Sequence, residues 1–304
     1  MKKFNKTGPM RLRRVIGNLL TQRRIIPILA VAAGLLPVSN AIGTEINLVT
    51  PYPGSGSFAS GTSPGGAGAI YATIDSKPTG TGVFDPFLSY QAKGIEEGYN
   101  SSDGGPGQGF LDTKRVPQWN HDLHVSDLGV VAGPDGKGSF FAFELDANET
   151  GNGNINRLLS IDDIRIYTSP TDTAPSVGDN AALVDNLGKL RYAQNATLGV
   201  TANWVLIDAS RAEGGSTSGS GSSDMILFVP TSLFAGAAGT DFLYFYTING
   251  VHNPSVTGSE SAAGFEEWRA LTGPPVPDGG STLLLLGSSL TALGFLAGRR
   301  GFAA

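Results

Sequence analysis

SFFAFELD, residues 139–146, decides the fold class. Phe141, Phe143 and Leu145 share one parity, Ala142 and Glu144 the other, and a strand sends successive side chains to opposite faces. The run therefore predicts a β-strand with one face against a core. Residues 161–168 repeat the pattern, with Ile164 and Ile166 opposed to Arg165 and Tyr167. Residues 45–50 and 69–74 read as further strands. Residues 203–208, 225–229 and 242–248 are apolar on both parities, which marks central strands covered on both sides. Between the two ends of the chain, only residues 181–190 read as a helix.

Composition agrees with many short strands. The 304 residues include 43 glycines and 18 prolines, and clusters of Ser, Thr and Asn separate the apolar runs. The fold class expected is all-β: a β-sandwich, a jelly roll being one form of it. Residues 51–68, 98–109 and 214–223 are rich in Gly, Ser or Pro and read as surface loops. No fixed-period repeat is present, which argues against a solenoid or propeller. Cysteine is absent, so disulfides and thiol chemistry are excluded.

Both ends of the chain differ from this body. Residues 1–41 hold eight basic residues and no acidic one, then an apolar run over 25–38, then Ser39, Asn40 and Ala41. That order reads as a secretory signal peptide cut by signal peptidase after Ala41. The run is too short, and too interrupted by Pro27 and Pro37, to make a good membrane anchor. At the other end stands VPDGGSTLLLLGSSLTALGFLAGRR, residues 276–300. Its residues 282–298 carry no charge, enough for roughly 25 Å of helix. Arg299 and Arg300 behind them favour a cytoplasmic end. A transmembrane helix is expected there, after a Pro-rich stalk over 272–276.

This C-terminal order resembles the sorting signals of PEP-CTERM proteins, most closely the VPDSG variant. Val276, Pro277, Asp278 and Gly280 match, and Gly279 stands where that variant has Ser. The resemblance implies a Gram-negative envelope, passage through the inner membrane, and an exosortase-type transpeptidase that removes residues 277–304. Within the body, FELD at 143–146, LSIDDI at 159–164, IYTS at 166–169, GSGSSDM at 219–225 and GFEEW at 264–268 also resemble secreted PEP-CTERM proteins. That likeness implies an envelope protein, often linked to exopolysaccharide, and supplies no catalytic residue.

Setting the two signals aside leaves residues 42–271 as the working domain. Of 21 basic and 26 acidic residues, the leader holds eight basic ones, and the tail holds two arginines and Asp278. Eleven basic against 25 acidic residues remain, a net charge near −14, which argues against nucleic acid as a partner.

Candidate chemistry in the body is sparse. Asp146, Asn148, Thr150, Gly151, Asn152 and Asn154 approach the alternating oxygen-ligand spacing of a calcium loop, but Arg157 holds the place of the bidentate glutamate. A hairpin turn built from Asn and Gly explains the same letters. Beyond calcium no cofactor is implied. His121 and His124 are three apart and diverge on a strand, while His252 reads as solvated or capping. Residues 61–65, GTSPG, satisfy a hydrolase elbow in letters only, with no strand before them and Pro64 against a helix after them. The neighbouring pairs Glu96/Glu97, Asp162/Asp163 and Glu266/Glu267 read as exposed charges. Three classes compete: a non-catalytic surface or matrix protein, a carbohydrate-binding module using Trp119, Tyr90 or Trp268, and a secreted hydrolase. The first is expected.

Overall fold

The computed structural model describes residues 43–49, 54–58, 68–73, 84–104, 109–114, 116–149, 157–209, 223–252, 260–262 and 264–272. Strands are numbered along the chain. One sheet holds β1 (Glu45–Asn47), β6 (Glu96–Tyr99), β7 (Leu123–His124), β10 (Leu158–Ser169), β11 (Lys189–Ala193), β12 (Trp204–Asp208) and β14 (Phe242–Asn249). The other holds β2 (Ser55–Gly56), β3 (Ile70–Thr73), β4 (Leu88–Tyr90), β8 (Val130–Val131), β9 (Phe140–Ala147), β13 (Met225–Pro230) and β16 (Glu266–Ala270). A small ribbon pairs β5 (Lys93–Gly94) with β15 (Ser261–Ala262). The first sheet runs β1-β12-β10-β14-β6 and the second β2-β3-β13-β9-β16-β4. β1 and β12 are parallel, and the other described pairs are antiparallel.

The all-β sandwich expected from residues 139–146 is what forms. Phe141, Phe143 and Leu145 enter the main core, where they meet Leu227 and Trp268 of their own sheet and Ile164, Ile166, Leu243 and Phe245 of the facing one. Ala142 turns outward into a smaller cluster with Phe140, Ile226 and Phe228. β13 and β14 are buried on both faces as their double parity requires. Tyr244, Tyr246 and Ile248 of β14 pack outside the first sheet against Tyr99, Tyr167, Val184 and Leu187.

Sequence alternation breaks once inside β10, and the break is structural. Leu159 and Ile161 point inward, then Ile164 and Ile166 do, so the parity flips between them. Against β14, Ile161 pairs with Asn249 and Asp163 with Ile248, so Asp162 is an extra residue in a bulge.

Three expectations need correction. Residues 181–190 are not one helix: a 3₁₀ helix covers Ala181–Leu187, and β11 begins at Lys189. The 3₁₀ period of three puts Val184 and Leu187 on one side, both fully buried. Residues 51–68 are not wholly a loop, since β2 pairs with Tyr71 and Ala72, and Phe58 is buried edge-on against Tyr71 at 5.5 Å. Residues 98–109 begin inside β6 and continue through buried Asn100, whose Oδ1 accepts the Phe245 amide at 2.7 Å and whose Nδ2 donates to the Leu243 carbonyl at 3.0 Å.

Candidate functional site

Adjacent residues of a strand face opposite ways, so one member of each glutamate pair must turn inward. Glu97 faces outward and accepts the Tyr246 hydroxyl at 2.6 Å, while Glu96 is fully buried. Glu266 is fully buried too, and Glu149, just past β9, is 4% exposed. The reading of these pairs as exposed charges is therefore wrong for Glu96 and Glu266. It fails because the Glu96 side chain of one sheet reaches the Glu266 side chain of the other across the sandwich, a fact of tertiary structure.

The three glutamates share one buried pocket of polar groups at the end of the sandwich. Asn249 Nδ2 donates to Tyr90 Oη at 2.6 Å and to Glu96 Oε1 at 3.2 Å, joining the two sheets. Trp268 Nε1 donates to the same Tyr90 oxygen at 3.0 Å. Glu96 Oε2 accepts the Ala92 amide at 3.2 Å, and Glu149 Oε2 accepts the Ala262 amide at 2.7 Å. Glu149 Oε1 and both oxygens of Glu266 meet no donor. No described lysine, arginine or histidine forms an ion pair with any of the three. Burial pushes Glu266 far above the usual carboxylate range, with the charges of Glu96 and Glu149 adding to the effect. Burial raises Glu96 as well, and lifts Glu149 to about 7 against the opposing Ala262 amide.

A second polar group surrounds the β10 bulge. Asp162, fully buried, accepts the Ser160 hydroxyl at 2.9 Å and the Val251 amide at 2.7 Å through Oδ2. Its Oδ1 faces His252 Nδ1, and the His252 ring stacks on Trp204 at 4.0 Å and 8°. His252, half-buried, is thus a partner of the bulged aspartate rather than the solvated or capping residue its position suggested. Ser160 bonds to the carboxylate rather than to the imidazole, so the three do not form the nucleophile–base–acid order of a hydrolase. Asp163, the other half of that pair, is buried and bonded by Arg165 Nε at 2.7 Å.

Other candidates stay apart. Asp146 is buried in β9 opposite Glu267, and Asn148 follows the strand with its amide on the Phe265 carbonyl at 3.1 Å. Thr150, Asn152 and Asn154 lie outside the described residues, so the proposed calcium ligands are not seen together. His124 packs tilted against Phe242, ring centroids 4.8 Å apart, and lies 3.6 Å from Asp127, while the His121 amide donates to the Phe87 carbonyl. Among the described residues, no group of three His, Cys, Asp or Glu side chains is arranged to hold a metal ion. Tyr90 and Trp268 are fully buried in the core, so neither can stack on a sugar. Trp119 is 38% exposed and alone of the three keeps that capacity.

The serine of 61–65, Ala41, the sorting residues Val276, Pro277, Asp278, Gly279 and Gly280, and Arg299 and Arg300 all lie outside the described residues. Among those that are described, no helix is long and apolar enough to cross a membrane. The body is thus, by class, an all-β sandwich that buries Glu96, Glu149 and Glu266 inside it. Residues 275–300 match the VPDSG-CTERM motif, so the chain carries a PEP-CTERM-like C-terminal signal of the kind sorted by exosortases. That motif indicates an exosortase-type processing partner and export to the cell surface or beyond. No curated protein and no solved structure matches the chain.

Proposed function

We propose that the mature domain is a non-catalytic protein of the cell surface or extracellular matrix, delivered by exosortase sorting and associated with exopolysaccharide. The observation that carries this reading is the VPDSG-CTERM motif at residues 275–300. An uncharged run and an arginine pair behind it supply what a transient membrane stop needs before the tail is removed. The leader, cut after Ala41, belongs to the same proposal. A glycosidase sets two carboxyl groups across an open cleft, roughly 5 to 10 Å apart. The acids that come together here, Glu96, Glu149 and Glu266, are buried, which supports the non-catalytic reading.

Mass spectrometry of the protein isolated from its host tests the route. A C-terminus near Pro277 and an N-terminus at Ile42 are expected. Recovery of the intact chain, arginines included, as a water-soluble monomer in the medium would overturn the proposal. Carbohydrate binding is a second reading that Trp119 keeps open. Trp119→Ala should then weaken retention on the host's own polysaccharide several-fold without moving the unfolding midpoint. Unchanged retention would remove that reading.

A further inference from the structure

We propose that Glu96, Glu149 and Glu266 form a proton-held clasp between the two sheets, closed while the three carboxyl groups share protons and weakened as they lose them. Their placement carries the idea. Glu96 comes from β6 of one sheet, Glu266 from β16 of the other, and Glu149 from the segment leaving β9. Glu266 lies within hydrogen-bonding reach of both partners. As carboxylates all three are acceptors only, which is why the Glu266 oxygens and Glu149 Oε1 find no donor. A proton on one carboxyl makes it a donor to its neighbour, so the same geometry becomes a chain of hydrogen bonds.

Among the described residues, no packed element supplies a positive charge to the three, and none supplies a donor to Glu266. β4 contributes Tyr90, β14 contributes Asn249, β15 contributes Ser261, and β16 adds Trp268 beside Glu266. The Ser261 hydroxyl lies by the Ala92 carbonyl and also within hydrogen-bonding reach of Glu96 and Glu149, which it holds back from an even higher range, but it does not reach Glu266. Lys93 of the ribbon is exposed and forms no ion pair with the three. Like charges held this close in a buried site cannot all ionise.

Each of these groups holds its proton more tightly in the folded chain than in the unfolded one. Its contribution is therefore complete below the ordinary carboxyl range and declines as pH rises toward the folded value, which for Glu149 is about 7. The clasp loosens on the alkaline side.

Urea unfolding of the full chain in mild detergent with EDTA, from pH 5 to 8.5, tests this. The wild type should lose stability as pH rises, by up to about tenfold in its folding constant per pH unit for each proton retained. Glu266→Gln supplies a permanent N–H donor at the same place, so its slope should fall by about one proton, with the variant more stable than wild type at pH 8. Glu96→Gln should act the same way and serves if Glu266→Gln does not fold. Infrared spectra of folded wild type at pH 7.5 should show a protonated-carboxyl band that either variant reduces. A flat or rising wild-type profile, slopes unchanged in both variants, or absence of that band would each overturn the clasp. So would millimolar calcium that flattens the wild-type profile but not the variant's, since the pocket would then be a cation site.

Discussion

Arg165 is 1% exposed, and its charge is held by three partners at once. Nε donates to Asp163 at 2.7 Å, Nη1 to Asp185 at 3.2 Å, and Nη2 to the Asn195 carbonyl at 3.1 Å. Arg165→Met keeps the apolar stem and leaves the Asp163 carboxyl buried without its cation. Urea unfolding should show a loss of about 3–5 kcal/mol, and adding Asp163→Asn should recover part of it. The aspartate itself is lifted to about 6 because burial outweighs the arginine. The folded chain therefore binds that proton more tightly, and this pair loses stability as pH rises from about 4 to 6. Sequence parity alone placed Arg165 opposite Ile164 and Ile166. It did not show Asp185, which arrives from the 3₁₀ helix twenty residues on. In the same way, the glutamate doublets read as exposed charges, and neither the inward turn of Glu96 and Glu266 nor their meeting could be seen without the stacked sheets.

At the scale of elements, the strands that alternate or run apolar on both parities were legible, because burial on one or two faces leaves that mark. Short elements escaped it. β2 has two residues and hides in a Gly/Ser-rich stretch, and its evidence is the buried Phe58 beyond it. The bulge at Asp162 was readable in principle, since LSIDDIRI shifts its apolar parity across the Asp-Asp pair. What the shift builds, an aspartate that accepts the Val251 amide and faces His252, depends on the turn after β14. That turn needs glycine at 250, where φ is +83° and an added Cβ would sit 2.1 Å from the Gly94 carbonyl oxygen. Gly250→Ala should cost about 1–3 kcal/mol from the backbone alone, more with the clash. Thermal unfolding reads the loss directly. Gly199→Ala, also at positive φ (+75°) but with open space around it, should cost less.

Across the whole molecule, the address and the body are separate pieces of physics. The body closes on itself before the motif begins: the Leu271 amide donates to the Ala142 carbonyl at 2.9 Å, and the Leu271 carbonyl accepts the Gly129 amide at 2.9 Å. Leu271 also packs on the outer cluster of the second sheet. The sorting signal was legible because its chemistry is linear: a short motif, an uncharged run of spanning length and two arginines need no folding to be read. The clasp was not, because it exists only once the two sheets bring Glu96 and Glu266 together. A chain cut after Pro275 should therefore unfold at the same urea concentration as the intact one, with the same pH dependence in wild type and in Glu266→Gln. Its fate in the host should differ completely: without residues 276–304 there is no substrate for an exosortase, and the truncated chain should leave the envelope fraction. Fractionation of cells expressing both forms checks the second half, and urea titration the first. A lower midpoint in the truncated chain would show that the tail packs against the sandwich, and retention in the envelope would show that the body carries an attachment of its own.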